Sequence, residues 1–209
     1  MKKQNIFPIL GLTSSSLLII TYLLTFALYF LDISTKGWTL SFNFFSPFFV
    51  FCIFLAFKYI IVHKSNLDNF KVVIYLILIS QIFLLMTAWI TKFKIMPAKS
   101  VPILSLITGL VMTGLYLWFF ILILRTNKTE IKVFSYLKYY AITFLIFMII
   151  RAITSIIILA IATLTIREKN IYFDLVNPLL ELIPFIFLIF FFSEHIEKSD
   201  DNLEKIPNA

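Results

Sequence analysis

Charge is what this chain lacks most. Asp, Glu, Lys and Arg make up 14% of its 209 residues, against about 25% in a typical soluble domain. With 61% of residues apolar, the chain cannot clothe itself in a solvated surface. A soluble enzyme and a disordered chain are both excluded. The single cysteine, Cys52, excludes an internal disulfide framework and has no metal-ligand spacing around it. The two histidines, His63 and His195, lie far apart. The only glycines are Gly11, Gly37, Gly109 and Gly114, which make neither a P-loop nor a dinucleotide fingerprint. No carboxylate pair, Ser/His constellation or His/Cys cluster lies within the apolar runs, so no catalytic site, metal or cofactor is expected.

Long apolar runs are what the chain has in abundance, with a mean hydropathy of +0.99. About 20 apolar residues cross a ~30 Å hydrocarbon core. Six runs qualify: Pro8 to Leu31, Phe44 to Val62, Val72 to Ile90, Val101 to Leu124, Tyr140 to Ile166 and Leu175 to Phe192. Each must be helical, because an open strand edge leaves backbone groups unpaired in lipid. The runs do not alternate in polarity, which excludes a barrel. The predicted architecture is therefore an all-α, six-span membrane bundle forming one domain over residues 1–192. The first run follows Lys2 and Lys3 like a signal peptide. It is too long, however, and has no cleavage site before Asp32, so it reads as an uncleaved helix.

The net charge of +7 resides in the short loops. Membrane orientation accounts for it better than a nucleic-acid partner does. One side collects eleven Lys and Arg, among them Lys58, Lys64, Lys71, Arg125, Lys132 and Lys138; the other side collects six. This asymmetry predicts cytosolic termini. The sequon Asn127-Lys128-Thr129 then faces the cytosol and stays bare. Residues 193–209 carry five acids against two Lys and read as a polar, disordered cytosolic tail.

A charge within a span costs about 2.5–3.5 kcal/mol at a helix centre and needs a partner. Arg151 lies about 16 Å into the fifth run and Glu181 about 9 Å into the sixth, from opposite faces. An intramembrane Arg151–Glu181 ion pair is expected, either as a clamp on helix register or as a ligand site or switch. Asn177, Pro178 and Pro184 surround Glu181 in sequence. Two prolines in one span free carbonyls, giving either a packing kink or a cavity lining. Gln81 and the Thr13-Ser14-Ser15-Ser16 cluster are weaker polar signals, read as packing. The 25 Phe and the Tyr139-Tyr140 pair read mostly as lipid-facing bulk and interface anchors.

The first and fourth runs open alike, with Pro8-Ile-Leu-x-Leu against Pro102-Ile-Leu-x-Leu and Tyr22 against Tyr116 at the same offset. The match does not extend to the remaining runs, as a full inverted repeat would require. A broader likeness covers residues 40 to 192. Phe44-Phe45-Ser46, then Phe54, Ala56 and Tyr59, then Phe147-Met-Ile-Ile-Arg151 and Glu181-Leu-Ile-Pro184 follow one another in order. In this the chain resembles the plant tobamovirus-multiplication membrane protein family, which has a seven-helix, receptor-like layout. Phe57 stands where that family has an acidic residue, and Ser193-Glu194-His195 replaces its basic end. The resemblance implies a receptor-like bundle lacking one helix, a non-enzymatic scaffold or receptor working through cytosolic protein partners. The alternative is a small transporter or channel with a polar site near Glu181, Asn177 and Gln81.

Overall fold

The computed structural model describes residues 6–31, 36–93, 100–126, 132–164 and 182–196. They form helices α1 (Ile6–Phe30), α2 (Lys36–Phe57), α3 (Lys71–Lys92), α4 (Ser100–Arg125), α5 (Lys132–Leu164) and α6 (Leu182–Ile196). No strand occurs among the described residues. The all-α bundle is as the hydropathy pattern predicts, with one helix for each apolar run. Among the described residues, four segments are long and apolar enough to cross a membrane: Ile6–Leu28, Phe45–Lys64, Asp68–Ile90 and Leu106–Arg125. Shorter apolar segments, Phe134–Ile150 and Leu182–Ile196, belong to α5 and α6. The exterior is also apolar, with Ile20, Ile79, Met86, Leu110 and Ile149 all more than half exposed. A water-soluble monomer does not carry such a surface; a membrane-embedded one does.

Three boundaries differ from the hydropathy reading, the first being the start of α2 at Lys36, eight residues before Phe44. Helix α5 starts at Lys132, eight residues before Tyr140, because Phe134 and Leu137 already turn inward and are buried. Helix α6 runs on through Ser193-Glu194-His195-Ile196. His195 is buried there, with its ring 4.7 Å from that of Phe191 and its Nδ1 2.9 Å from the Phe191 carbonyl oxygen. These four residues are the last turn of a helix and not the start of the tail. The sequon at Asn127 and the rest of the tail lie outside the described residues.

Consecutive helices from α1 to α5 pack against one another. The α2–α3 connection is tight and unusual. Helix α2 widens into a seven-residue π-helix, Lys58–Lys64, closed by Ser65 N–H donating to the Ile60 carbonyl at 3.0 Å. A wider turn rotates less per residue, which lets three consecutive side chains, Ile60, Ile61 and Val62, all face the core. Asn66 then takes a left-handed conformation, φ 51°, which asparagine tolerates better than most residues. A 3-10 turn, Asp68–Phe70, leads into α3. The Lys58 ammonium sits 4.4 Å from the Tyr75 ring centroid, tying this turn to α3. Lys64, Lys71 and Arg125 lie exposed at this same basic end of the bundle.

Helix α2 is the hub. Its Phe57 ring, fully buried, lies 5.4–6.3 Å from those of Phe54, Phe119, Tyr140, Phe191 and Phe192, and so joins α2 to α4, α5 and α6. Helix α1 reaches α6 at Gly11, where a Cβ would come 2.5 Å from Phe192. Ser14 and Ser15 on that helix are buried, and the Ser15 hydroxyl donates to its own helix at the Gly11 carbonyl, 2.9 Å away. Small residues here permit close helix approach, as the packing reading of the cluster expects. The reading of phenylalanine as mostly lipid-facing is overturned. Ten Phe are buried and five exposed among the described residues. The rings fill the core because flat, rigid side chains interlock at edge-to-face and tilted angles.

Gly11→Ala drives its methyl into Phe192, which cannot swing away because it stacks on Phe57. A loss of about 1–3 kcal/mol is expected in SDS unfolding from mixed micelles. Unchanged stability would show that α1 does not dock there.

Candidate functional site

The predicted Arg151–Glu181 ion pair lies outside the described residues. Arg151 is on the helical backbone of α5, but its side chain, like Glu181, Asn177 and Pro178 as whole residues, is outside the described residues. Pro184 is buried in α6. Gln81 is buried in α3, and its Nε2 donates to the Tyr116 hydroxyl oxygen on α4 at 2.9 Å. It is more than packing, because a buried amide in an apolar bundle needs a partner, and this one positions a tyrosine.

That tyrosine faces a cavity of about 950 Å³ inside the bundle, at the top of the 300–1,000 Å³ range typical of small-molecule sites. Its walls come from five helices: Tyr22 of α1, Ile53 and Phe54 of α2, Met112 and Tyr116 of α4, Tyr140 and Phe144 of α5, and Phe185 of α6. Toward the basic end the cavity is backed by the aromatic cluster, of which Phe54 and Tyr140 line it and Phe119 and Phe120 lie behind them. Phe54 lies 5.2 Å from Phe119, Phe119 lies 5.9 Å from Phe120, and Phe120 lies 5.6 Å from Tyr140. All four of those phenylalanine and tyrosine rings are buried. No charged residue is among the described lining.

The polar groups in the wall are few. The Thr113 hydroxyl donates to the Gly109 carbonyl oxygen on its own helix at 2.8 Å. Tyr116 accepts from Gln81 and retains its own proton for donation. Tyr140 is 3% exposed, and its hydroxyl makes no hydrogen bond to another described residue. No fully enclosed side-chain oxygen is left unsatisfied among the described residues, and Tyr140 lines the cavity. Both hydroxyls sit at one level. Tyr116 is nine residues from Arg125 and Tyr140 eight from Lys132, about 12–14 Å from the basic ends of their helices. That depth is near the middle of a ~30 Å core.

The Tyr139-Tyr140 pair therefore divides. Tyr139 is half exposed against Phe187, while Tyr140 belongs to the interior. The Tyr22–Tyr116 match between the first and fourth runs does have a spatial meaning, since both residues line the cavity. Gln81 supports the cavity from behind Tyr116; the Glu181 and Asn177 grouped with it in the sequence lie outside the described residues. No group of three or more potential metal ligands occurs among the described residues. Comparison with family models, curated proteins and solved structures gives no match. The likeness to the tobamovirus-multiplication family rests on the residues alone.

Interhelical hydrogen bonds within membranes contribute about 0.6 kcal/mol on average and ~1.7 at most. Gln81→Leu and Tyr116→Phe should each cost an amount of that order, and the double variant no more than either alone. Strictly additive losses would mean that the bond does not form.

Proposed function

We propose that this chain is a non-enzymatic, receptor-like membrane protein that holds a small apolar ligand within its helix bundle and presents its basic end to cytosolic partners. The observation that carries this reading is the cavity of about 950 Å³, backed by interlocked rings and walled by five helices. A scaffold that only packs has no use for such a void, because interiors close up wherever side chains allow it. Ligand chambers between helices are a common use of bundles. The positive end formed around Lys64, Lys71 and Arg125 favours the cytosolic face, and the resemblance to a receptor-like family points the same way. A small transporter is the second reading. The fully buried cluster around Phe57, Phe119 and Phe120 favours the receptor, because a transport path would have to pass through it.

Gly109 lines the cavity, and a Cβ there would meet open space. Gly109→Leu should therefore fold as well as the natural protein, with the gain of up to about 1 kcal/mol that replacing a helical glycine brings, while shrinking the chamber. Native mass spectrometry after mild detergent extraction should find an uncharged adduct on the natural protein and little or none on Gly109→Leu. A natural protein that carries no adduct, and whose Tm does not respond to extracted membrane lipid, would overturn the reading.

A further inference from the structure

The cavity is closed at one end and open at the other. Phe54, Met112, Tyr140 and Phe185 line it and are buried, whereas Leu106 and Leu110, also in its lining, are 65% and 66% exposed. Only Thr108 and Met112 are buried among residues 106–114, so this half of α4 has no described helix along most of its circumference. Ala152, across the gap on α5, lines the cavity and is exposed as well. Leu110 and Leu106 lie 15 and 19 residues from Arg125, about 22 and 28 Å from the basic end. The mouth thus lies between α4 and α5, beside the apolar span Leu106–Arg125, and its border is apolar.

Resting on the ligand-chamber reading, we infer that the ligand is an uncharged membrane lipid with a carbonyl-type oxygen at its polar end, and that it passes sideways from the bilayer between α4 and α5. Three observations select this class. The mouth is bordered by Leu106, Leu110 and Ala152, so what passes it is already dissolved in the bilayer. The described lining is apolar apart from hydroxyls and holds no charged residue, which suits an uncharged ligand. The two polar groups at the closed end, the Tyr116 and Tyr140 hydroxyls, both have a proton to donate. Tyr116 already accepts from Gln81, and Tyr140 is buried with no protein partner among the described residues. In an apolar chamber such donors favour an acceptor oxygen, and a neutral carbonyl supplies two lone pairs without charge. The lipid therefore sits with its oxygen near mid-bilayer and its chain running out through the mouth, the reverse of a phospholipid in a leaflet.

The test uses the full chain in phosphatidylcholine nanodiscs and two photoactivatable probes. One is a long-chain methyl ketone carrying a diazirine and an alkyne tag; the other is the same chain without the ketone. The ketone probe should label Leu106, Leu110 and Met148 segments, and unlabelled ketone should compete. Tyr140→Phe keeps the ring and removes the donor, and should weaken ketone competition about fivefold while leaving the alkane probe unchanged. Leu110→Trp, at an exposed position, should slow labelling by both probes. If both probes label the cavity equally and Tyr140→Phe changes neither, the carbonyl assignment fails while the chamber stands. If Leu110→Trp leaves the labelling rate intact, lateral passage fails. If neither probe reaches the cavity segments, this inference and the ligand-chamber reading fail together.

Discussion

The structure depends on the packing of one ring. In water a buried Phe is held chiefly by the hydrophobic effect. In lipid that drive is absent between helices, and association rests on close packing and a few hydrogen bonds. Phe57 supplies the packing, because five aromatic rings from α2, α4, α5 and α6 meet it. Dispersion between interlocked rings does not depend on expelling water. It therefore works as well inside a bilayer as inside a soluble core. A carboxylate in place of Phe57 would be enclosed by rings and would have to be neutralised or paired.

From that centre the molecule has two unequal halves. Toward the basic end, Phe119, Phe120, Phe191 and Phe192 seal the interior, and the π-helical end of α2 turns Ile60, Ile61 and Val62 inward. Toward the other end α4 leaves its neighbours, and a chamber opens above the ring cluster. The Gln81–Tyr116 hydrogen bond spans the boundary, linking α3 to the chamber wall at 2.9 Å. The described glycines fit the same division. Gly11 sits where α1 and α6 nearly touch, and Gly109 sits where nothing is near. One residue type thus marks the tightest place in the bundle and one of the most open.

Much of the fold was legible from composition alone. Hydropathy found the all-α character and the order of the apolar helices, of which four among the described residues have the length that a bilayer dictates. It misplaced the ends of α5 and α6, where Phe134, Leu137 and His195 are buried beyond the uniformly apolar run. Periodicity could not tell core from lipid face, since both are apolar here and the usual contrast between inside and outside vanishes. Hence Phe57, Phe119 and Phe120 passed as bulk. Polar residues were the better guide. Gln81 proved to mark a helix contact, and Tyr116, noted only as half of a weak repeat, lines the chamber. Charge drew attention to Arg151 and Glu181, whose side chains lie outside the described residues.

The measurement that bears most directly on this account compares two phenylalanines of α2 that differ in surroundings. Phe57 is fully buried among rings and Phe48 is 49% exposed. Each is changed to Ala, and unfolding is followed by SDS titration in mixed micelles. Phe57→Ala should lose about 3–5 kcal/mol, the scale of a large core truncation, and Phe48→Ala less than about 1 kcal/mol. Equal, small losses at both positions would contradict a bundle held together at Phe57.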